Sequence, residues 1–424
     1  MSMPVSAMEQ HIPGHSPTCR FCSAPLSHLF VDLGMSPPCQ NHITPQQLNQ
    51  MEAFYPLRAY VCAKCMLVQL EEFVAPDDIF SEYAYFSSYS DSWVAHAKRY
   101  TEDMSARFGI GKQSKVMEIA SNDGYLLQHF VARGVPVLGI EPAANVAKVA
   151  IDKGIPSEVK FFGRETARYI ATKHGQPDLL LGNNVLAHVP DLNDFVGGMK
   201  ILLKQGGVIT MEFPHLHQLM MHNQFDTIYH EHFSYLSVIT VQQVFAAHGL
   251  RLFDVQELPT HGGSLRIFVC HDDDKSKPVS ENVVAVRGRE VAAGLDKLES
   301  YSKFAEQVRE TKRDILDFLV KARRAGKTVV GYGAPGKGNT LLNYCGIRED
   351  FLDYTVDRNP YKQGKYTPGT HIPILDPEQI RKTRPDYLFL LPWNLADEIV
   401  AQCAYIREWG GKFVVPIPRI RVID

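Results

Sequence analysis

Two pairs of cysteines constrain the fold of this chain more than any other feature of its sequence. Cys19 and Cys22 form one CxxC pair, Cys62 and Cys65 form a second, and residues 23–61 separate them. Each pair places two thiolates where they can hold one tetrahedral ion, so the two pairs together make a four-cysteine zinc site. Loop-closure entropy grows only with the logarithm of loop length, so the long separation does not prevent closure. Four thiolates leave no open coordination position, and we therefore expect a structural zinc.

A redox-active CxxC pair with two incidental thiols is the alternative. The other cysteines, Cys39, Cys270, Cys345 and Cys403, are scattered, and we expect them to be ordinary side chains. No apolar run could span a bilayer, and residues 1–18 lack a signal-peptide core, so we expect a disordered tail, a cytoplasmic location and no membrane partner. With 44 basic against 47 acidic residues, the charge argues against a nucleic-acid partner. A monomer is the working expectation.

The sequence predicts an α/β fold in consecutive segments. A zinc-binding domain covers 19–105, and a domain at 106–273 alternates apolar strands with amphipathic helices, which indicates a parallel sheet with crossover helices. A linker and a bridging helix follow at 274–326, with the helical stretch at about 285–325. A Rossmann-like α/β domain occupies 327–424. The predicted strands are 115–120, 136–141, 178–184, 207–213, 250–258, 264–271, 327–334, 351–357, 386–392 and 413–418.

A cofactor site is predicted where three of these strands end. Glu118 lies in the first strand, Glu141 ends the second, and Asn183 and Asn184 end the third. In an open parallel sheet the ligand lies beyond the carboxyl ends of the strands, and an acidic residue after the second strand can accept hydrogen bonds from ribose hydroxyls. The pattern resembles the core of S-adenosylmethionine (SAM)-dependent methyltransferases, although the turn contains only one glycine, Gly124. A generic strand end is the alternative. The candidate cofactor-binding residues are Glu118, Ser121, Asn122, Gly124, Tyr125, Leu126, Glu141, Pro142, Asn183 and Asn184.

A second polar segment, beginning at Pro214, carries candidate catalytic side chains. Tyr229 and His232 are three residues apart and share one face of a helix or tight turn, whereas Glu231 would meet His232 only on an irregular backbone. A neutral histidine suits a general base, and a tyrosine hydroxyl can donate to a developing enolate oxygen. His188 follows the third strand and can reach the same pocket. Satisfied structural residues are the alternative.

In this order, the segments CRFC, CAKC, EIASNDGYLLQHF, NNVLAHVPD, YHEHFSYLS, THGGSLRIF and GYGAPGKGNTLLNY resemble the sugar C-methyltransferase family. That family acts on nucleotide-linked 4-keto-6-deoxysugars, commonly at C3, in deoxysugar biosynthesis. The resemblance implies a zinc domain, a class I SAM-binding domain and a C-terminal Rossmann-like domain. It also implies that His232 is the base, that Tyr229, Glu231 and His188 assist, and that Tyr83 approaches the cofactor or sugar.

The last domain carries a competing signal. Gly331, Gly333 and Gly336 match GxGxxG, and Asp357 ends the next strand, which is typical of a dinucleotide site and supports an NAD-dependent oxidoreductase. We favour binding of the sugar nucleotide's diphosphate at this turn; a structural remnant, or a non-catalytic nucleotide-sugar-binding protein, is a further alternative. An ordinary hairpin turn is the alternative at 261–266. The candidate substrate-binding residues are Tyr83, His261, Gly262, Gly263, Ser264, Arg266, Lys337, Asn339 and Arg358.

Overall fold

The computed structural model describes residues 17–74 and 86–424, and their contacts divide them into two compact units. The first unit contains the described residues up to His28 together with Val61–His215 and Phe233–Leu298. The second contains Leu29–Tyr60, Leu216–His232 and Glu299–Asp424. This grouping differs from the consecutive segments expected from the sequence, because residues 29–60 and 216–232 group with the C-terminal sheet.

The secondary structure of the described residues is numbered along the chain. The strands are β1 His28–Ser36, β2 Tyr55–Val61, β3 Val68–Leu70, β4 Val116–Ile119, β5 Val137–Ile140, β6 Ser157–Glu158, β7 Leu179–Asn183, β8 Val208–Pro214, β9 Ser234–Tyr235, β10 Leu250–Leu258, β11 Ser264–His271, β12 Val329–Tyr332, β13 Thr355–Val356, β14 Ile374–Leu375, β15 Tyr387–Leu390, β16 Lys412–Val415 and β17 Arg421–Ile423. The helices are α1 Asp91–Phe108, α2 Leu127–Val131, α3 Ala144–Asp152, α4 Arg164–His174, α5 Leu192–Leu202, α6 Leu216–Met221, α7 Val238–Ala247, α8 Glu281–Ala292, α9 Leu298–Ser302, α10 Phe304–Arg324, α11 Gly336–Cys345, α12 Gln379–Thr383 and α13 Ala396–Gln402. Every predicted strand overlaps one of these strands.

The first unit is built on a seven-stranded sheet with the order β10-β11-β8-β7-β4-β5-β6. Strands β4 to β8 run parallel, as predicted. Strand β11 pairs antiparallel with both β10 and β8, so β10 and β11 form the hairpin that the sequence left open as the alternative at 261–266. Only residues 259–263 join the two hairpin strands, and parallel neighbours need a crossover of about a dozen residues or more.

Helix α1 covers part of this sheet and carries side chains of the site. The Ser90 hydroxyl accepts a hydrogen bond from the Trp93 backbone N–H at its start, and Gly109 ends the helix in the left-handed conformation, as is common at helix ends. Tyr100 and Met104 pack into a buried cluster with residues of α2, β4, β7 and β11. This packing fixes the rotation of α1 and thereby the direction of its other side chains.

The second unit contains a six-stranded sheet with the order β14-β13-β12-β15-β16-β17. Its strands are parallel except β17, which is antiparallel to β16. Helix α10 is amphipathic, and its buried residues recur every three or four positions, as expected for a helix with one face on a core: they are Phe304, Val308, Thr311, Ile315, Leu319 and Ala322. The single helical stretch predicted at about 285–325 is wrong in one respect, because it is divided into α8, α9 and α10. Gly294, at φ +81°, follows the end of α8.

The order of the first sheet also determines where a ligand can bind. From β4 the chain continues to β5 on one side, and β7 lies on the other side. Such a reversal opens a crevice beyond the carboxyl ends of the strands on either side. The turns after β4, β5 and β7 therefore form the candidate cofactor crevice.

Among the described residues, no helix combines the length and the apolar composition needed to cross a membrane.

Candidate active site

The four predicted zinc ligands converge in the first unit. The Sγ atoms of Cys19, Cys22, Cys62 and Cys65 all lie within 4.8 Å of one another. Cys19 and Cys65 are separated by 3.6 Å between sulfurs, and Cys22 and Cys62 by 3.5 Å. A tetrahedral zinc with Zn–S bonds of about 2.3 Å needs sulfurs about 3.8 Å apart. The cluster thus fits a closed Cys₄ zinc site.

Two turns of the same design hold these ligands. The carbonyl of Cys19 accepts a hydrogen bond from Ser23 N, and the carbonyl of Cys62 accepts one from Met66 N, each at 2.9 Å. Ser23 and Met66 both adopt positive φ, at +58° and +60°. The matching backbone turns the two thiols of each pair to the same side. The Gln69 amide also donates to the Cys19 sulfur at 3.2 Å.

The turn after β4 explains how the cofactor motif functions with one glycine. Ala120 and Asn122 adopt positive φ, at +56° and +50°, a backbone conformation that residues other than glycine rarely take. Gly124 has φ +78°, and a Cβ there would lie 2.3 Å from Ile155 Cδ1. The positive φ and this close contact together favour glycine at position 124. Backbone strain of this kind is concentrated at functional sites.

Glu141 organises the floor of the crevice. Its carboxylate accepts backbone hydrogen bonds from Asn122 N and Ala143 N, both at 2.9 Å. Burial raises the pKa of Glu141, while these two donors act to lower it. The Asn122 side chain in turn accepts a hydrogen bond from Ser87 N at 2.8 Å. The structure thus ties together the turns after β4 and β5.

Glu118 is the test of whether the crevice fits a ligand. It is completely buried, and among the described residues neither of its carboxyl oxygens has a hydrogen-bond partner. Burial, with the charges of Glu141 and Asp123, raises the pKa of Glu118 well above its ordinary value. Ser121 Oγ and Asn183 Oδ1 are also buried without a partner in the described part of the chain. Buried polar atoms normally have partners, and the hydroxyl and amino donors of SAM fit this unmet demand.

The other predicted cofactor residues line the same strand ends. Tyr125 and Leu126 are buried in the turn before α2, and Pro142 is half-buried after β5. The Asn183 amide lies 3.5 Å from the Tyr125 hydroxyl. Asn184 contacts His261, with 3.0 Å between Asn184 Nδ2 and His261 Nε2. The structure therefore brings one predicted cofactor residue next to one predicted substrate residue.

Sequence reasoning missed an aromatic and charged group beside this pair. Trp93 stacks on His96 and on Tyr125, with ring centroids 4.9 Å and 6.1 Å apart, and its ring lies edge-on to His261 at 5.3 Å. Two features of the sequence could have revealed this group. Trp93 and His96 are three residues apart in a helical segment, and Glu212 is a carboxylate within a mostly apolar strand.

Glu212 holds Arg266 inside the fold. Its carboxylate accepts hydrogen bonds from Arg266 Nη2 at 2.8 Å, His96 Nε2 at 3.0 Å and Thr260 Oγ1 at 3.0 Å. Burial opposes ionisation, but the hydrogen bond from His96 and the charge of Arg266 hold the pKa of Glu212 below its ordinary value. Arg266 is 3% exposed and lies over the Tyr100 ring at 4.6 Å. Its predicted contact with the sugar stays a prediction.

The remaining residues of that polar turn shape the β10–β11 connection. Ser264 is buried, and its hydroxyl donates to the Thr260 carbonyl at 2.9 Å. Gly262 and Gly263 both have positive φ, at +91° and +120°, so this tight turn depends on glycine. A role for these three residues in substrate binding also remains a prediction.

In the second unit, Tyr229 and His232 meet, as their spacing predicted. The Tyr229 hydroxyl lies 2.9 Å from His232 Nε2, and the Thr227 carbonyl lies 2.9 Å from His232 Nδ1. A carbonyl can only accept, so Nδ1 carries the proton. In the neutral ring Nε2 then holds the lone pair and accepts from Tyr229. This tautomer leaves a basic nitrogen on the tyrosine side of the imidazole.

The hydrogen-bond partner of Glu231 is Cys39. The Cys39 thiol donates to Glu231 Oε1 at a sulfur–oxygen distance of 3.6 Å. Burial raises the pKa of Glu231 to about 7, partly offset by this hydrogen bond. Burial and the neighbouring Glu231 charge raise the pKa of Cys39 well above its ordinary value. Cys39 is thus part of a polar pair.

The GxGxxG turn of the second unit and the helix that follows it form hydrogen bonds with Asp357 and with residue 39. Asp357 accepts a hydrogen bond from Ala334 N at 2.8 Å. The Asn339 amide donates to the Cys39 carbonyl at 2.6 Å. A Cβ at Gly336 would lie 2.9 Å from Cys39 Sγ, so this glycine allows the close approach of residue 39.

Lys337 is half-buried beside this turn. Its Nζ donates to Asn394 Oδ1 at 2.8 Å and lies 4.8 Å from the Trp393 ring centroid. Burial lowers the pKa of Lys337, and the Asp226 carboxylate acts to raise it. Arg358, by contrast, is exposed. The predicted diphosphate contacts of Lys337, Asn339 and Arg358 stay predictions.

Two predicted residues remain. His188 lies in the 3-10 turn Leu186–His188, directly after β7 and the asparagine pair. Tyr83 lies outside the described residues.

Comparison with known proteins matches these features. Sequence profiles match a zinc-binding domain at 19–80, a methyltransferase domain at 93–255 and a C-methyltransferase C-terminal domain at 259–418. The C-methyltransferase NovU of Streptomyces niveus is 36% identical over 408 residues, which cover 96% of each chain. Solved SAM-dependent methyltransferases of Anabaena variabilis and Clostridium acetobutylicum are 14% and 10% identical. Both matches cover 42% of this chain and have a TM-score of 0.35. They cover 86% of the Anabaena variabilis chain and 92% of the Clostridium acetobutylicum chain.

The chain is therefore a SAM-dependent methyltransferase with a structural zinc site and a Rossmann-like fold. It belongs to the sugar C-methyltransferase family that its motifs resemble, and the reaction it catalyses is a C-methylation. This decides against the oxidoreductase and the non-catalytic binding protein considered above.

We predict that Cys62→Ser damages folding more than chemistry. Loss of one thiolate opens the zinc site, and the free energy of unfolding should fall by on the order of 3 kcal/mol or more. Bound zinc and thermal unfolding measure this effect. Cys403→Ser, at a buried cysteine outside the cluster, should retain zinc. A zinc-free, fully active C62S protein would contradict a structural role.

Glu231 predicts a pH dependence of stability. Below its ordinary pKa of 4.5, both folded and unfolded chains hold the proton. Between 4.5 and about 7 the unfolded chain ionises first, so stability is lost as pH rises, by about 3 kcal/mol from this group. Glu231→Gln should therefore reduce the loss of stability between pH 5 and 7.5, as measured by urea unfolding. Equal pH slopes for both proteins would contradict the raised pKa.

We predict that Lys337→Ala raises KM for the sugar nucleotide about tenfold, as expected for one lost charge-assisted hydrogen bond. Steady-state kinetics measure KM, and Lys382→Ala, at an exposed lysine, is the control. A lower unfolding temperature with unchanged KM would assign Lys337 to the fold alone.

Proposed function

We propose that the enzyme methylates C3 of a nucleoside-diphosphate-linked 4-keto-6-deoxysugar through an enolate, in deoxysugar biosynthesis. The observation that carries this proposal is the Tyr229–His232 pair, with 2.9 Å between the hydroxyl and Nε2. An sp³ carbon becomes nucleophilic only after it loses a proton, and the adjacent C4 ketone makes that proton acidic. A base paired with a hydroxyl donor suits this step.

The contacts of His232 favour the tautomer that the step requires. The Thr227 carbonyl fixes the proton on Nδ1, so the Nε2 lone pair is available to accept the C3 proton. The electron pair of the broken C–H bond moves into the C3–C4 bond, and negative charge develops on the C4 oxygen. The Tyr229 hydroxyl, released from Nε2 as that nitrogen is protonated, can donate to this oxygen.

SAM supplies the electrophilic methyl group. The chain's own contribution is to hold that cofactor in the crevice of the first unit. Glu141 would accept from the ribose hydroxyls, and Glu118, Ser121 and Asn183 would take up donors of the cofactor through the buried atoms described above. The enolate electron pair would form the new C3–CH₃ bond while the bond between that methyl group and the cofactor sulfur breaks and leaves its electrons on sulfur. The anionic enolate would then become a neutral ketone, and the cationic sulfonium a neutral thioether.

The other predicted residues would assist this chemistry. Glu231 and His188 would help to orient the base and stabilise the enolate, and Tyr83 would approach the cofactor or the sugar. His261 and Arg266 would contact the sugar, and Lys337 the diphosphate. The contact of His261 with Asn184 beside the crevice supports the role of His261 at the sugar.

We predict that His232→Asn lowers turnover by about 1000-fold, the range expected for loss of a general base, while S-adenosylhomocysteine binds normally. A mass gain of one methylene unit in the sugar nucleotide measures turnover, and calorimetry measures binding. His222→Asn is the matched control, because His222 is an exposed histidine of the same segment. Near-native rates in H232N would show that another residue is the base.

The position of methylation can be tested separately. A C4 ketone acidifies the hydrogens at both C3 and C5, so solvent deuterium should enter only at the carbon that faces the base. We expect exchange at C3 when the enzyme is mixed with thymidine-diphosphate-4-keto-6-deoxyglucose in D₂O, followed by NMR. Exchange at C5 alone would overturn the C3 assignment and keep the enolate mechanism.

A further inference from the structure

Arg20 lies between the two cysteines of the first zinc turn, and its side chain reaches away from the metal site. Its Nη1 donates to the Pro190 carbonyl at 2.6 Å, and its Nη2 donates to the Leu70 carbonyl. The face of the guanidinium lies 5.3 Å from the centroid of the Phe233 ring. One planar cation thus joins three separate stretches of the first unit.

Two of these stretches adjoin the proposed catalytic histidines in sequence. Pro190 follows His188 by two residues, and Phe233 directly follows His232. The third stretch closes the arrangement, because Leu70 N donates to the Phe233 carbonyl at 3.0 Å. The position of Arg20 therefore bears on the chain just beyond each histidine.

A second contact strengthens the link to the His188 segment. The Asn193 amide donates to the Phe21 carbonyl at 2.9 Å and to the Arg20 carbonyl at 3.3 Å. The backbone of the zinc turn and the Arg20 side chain thus both hold residues 190–193. This stretch also starts α5, where Asp191 accepts from Asp194 N, so it has little freedom to move independently.

The chemistry of the side chain explains why arginine occupies this position. A guanidinium can donate to two carbonyls in its plane while its face rests on an aromatic ring, whereas the ammonium of lysine offers a compact charge without a plane. Lysine at position 20 would keep the charge and lose the geometry. This difference makes a conservative substitution informative.

We propose that Arg20 is a positioning residue that sets the His188 and His232 segments for proton removal from the sugar. The inference rests on the proposed function, since it assumes that these histidines act on the substrate. Arg20 itself touches no reacting atom in this proposal; it acts through Pro190 and Phe233.

The test compares Arg20→Lys with the native enzyme in two assays. Misplacement of catalytic groups by about 1 Å costs about 100-fold in rate, so kcat and the deuterium exchange of the sugar without SAM should both fall 10- to 100-fold. Zinc content and S-adenosylhomocysteine affinity should stay within twofold. Because exchange reports proton removal alone, its loss separates positioning of the base from any effect on the cofactor.

Arg251→Lys is the matched control. Arg251 is another arginine of the first unit whose guanidinium donates to two backbone carbonyls, those of Lys277 and Asp274, and it adjoins neither histidine in sequence. R251K should keep the native exchange rate. Phe233→Leu is a second variant that removes the aromatic contact and keeps both carbonyl acceptors, and its exchange rate should fall between those of R20K and the native enzyme.

The inference is overturned if R20K exchanges deuterium at the native rate, if R251K loses as much activity, or if R20K loses zinc together with activity. If His232 is not the base, the result is different, because His232→Asn would then exchange deuterium into the sugar at the native rate. Native exchange in R20K with none in H232N rejects only the role of Arg20.

Discussion

The carboxyl group of Glu118 makes a physical demand on the first unit that its described neighbours do not meet. It is completely buried, has no hydrogen-bond partner among the described residues, and lies near the charges of Glu141 and Asp123. An isolated buried acid is costly unless it stays protonated or gains a donor. The strained turn that follows, with Ala120 and Asn122 at positive φ, adds to this cost. Both features are explained by a crevice shaped for a bound cofactor.

In the second unit, Glu231 and His232 both have hydrogen-bond partners. The thiol of Cys39 donates a hydrogen bond to the buried carboxyl of Glu231, and the Thr227 carbonyl selects the tautomer of His232. Since a carbonyl can only accept, a single backbone atom decides which imidazole nitrogen is basic. Local geometry thus sets the tautomer of the imidazole that we propose as the general base.

The zinc site connects folding with this chemistry in the first unit. Four sulfurs within 4.8 Å of one another bring two short turns together. Arg20 extends from one of these turns to the residues that follow two proposed catalytic segments. A structural metal can in this way support catalysis through a protein side chain, without contacting the substrate.

The sequence by itself determined the zinc ligands, the strand positions and the meeting of Tyr229 with His232, because each appears as a local pattern: a CxxC pair, an apolar run or a three-residue spacing. It also determined the family, because several such motifs follow one another in a fixed order. Only the tertiary structure decided that Glu231 contacts Cys39, that Glu212 holds Arg266, and that Trp93 and His96 stand beside the crevice. These contacts join residues far apart in the chain, and a periodic pattern carries no information about which distant groups will pack together. The helical break after α8 escaped prediction for a related reason: a helical pattern continues across a short interruption that only packing reveals.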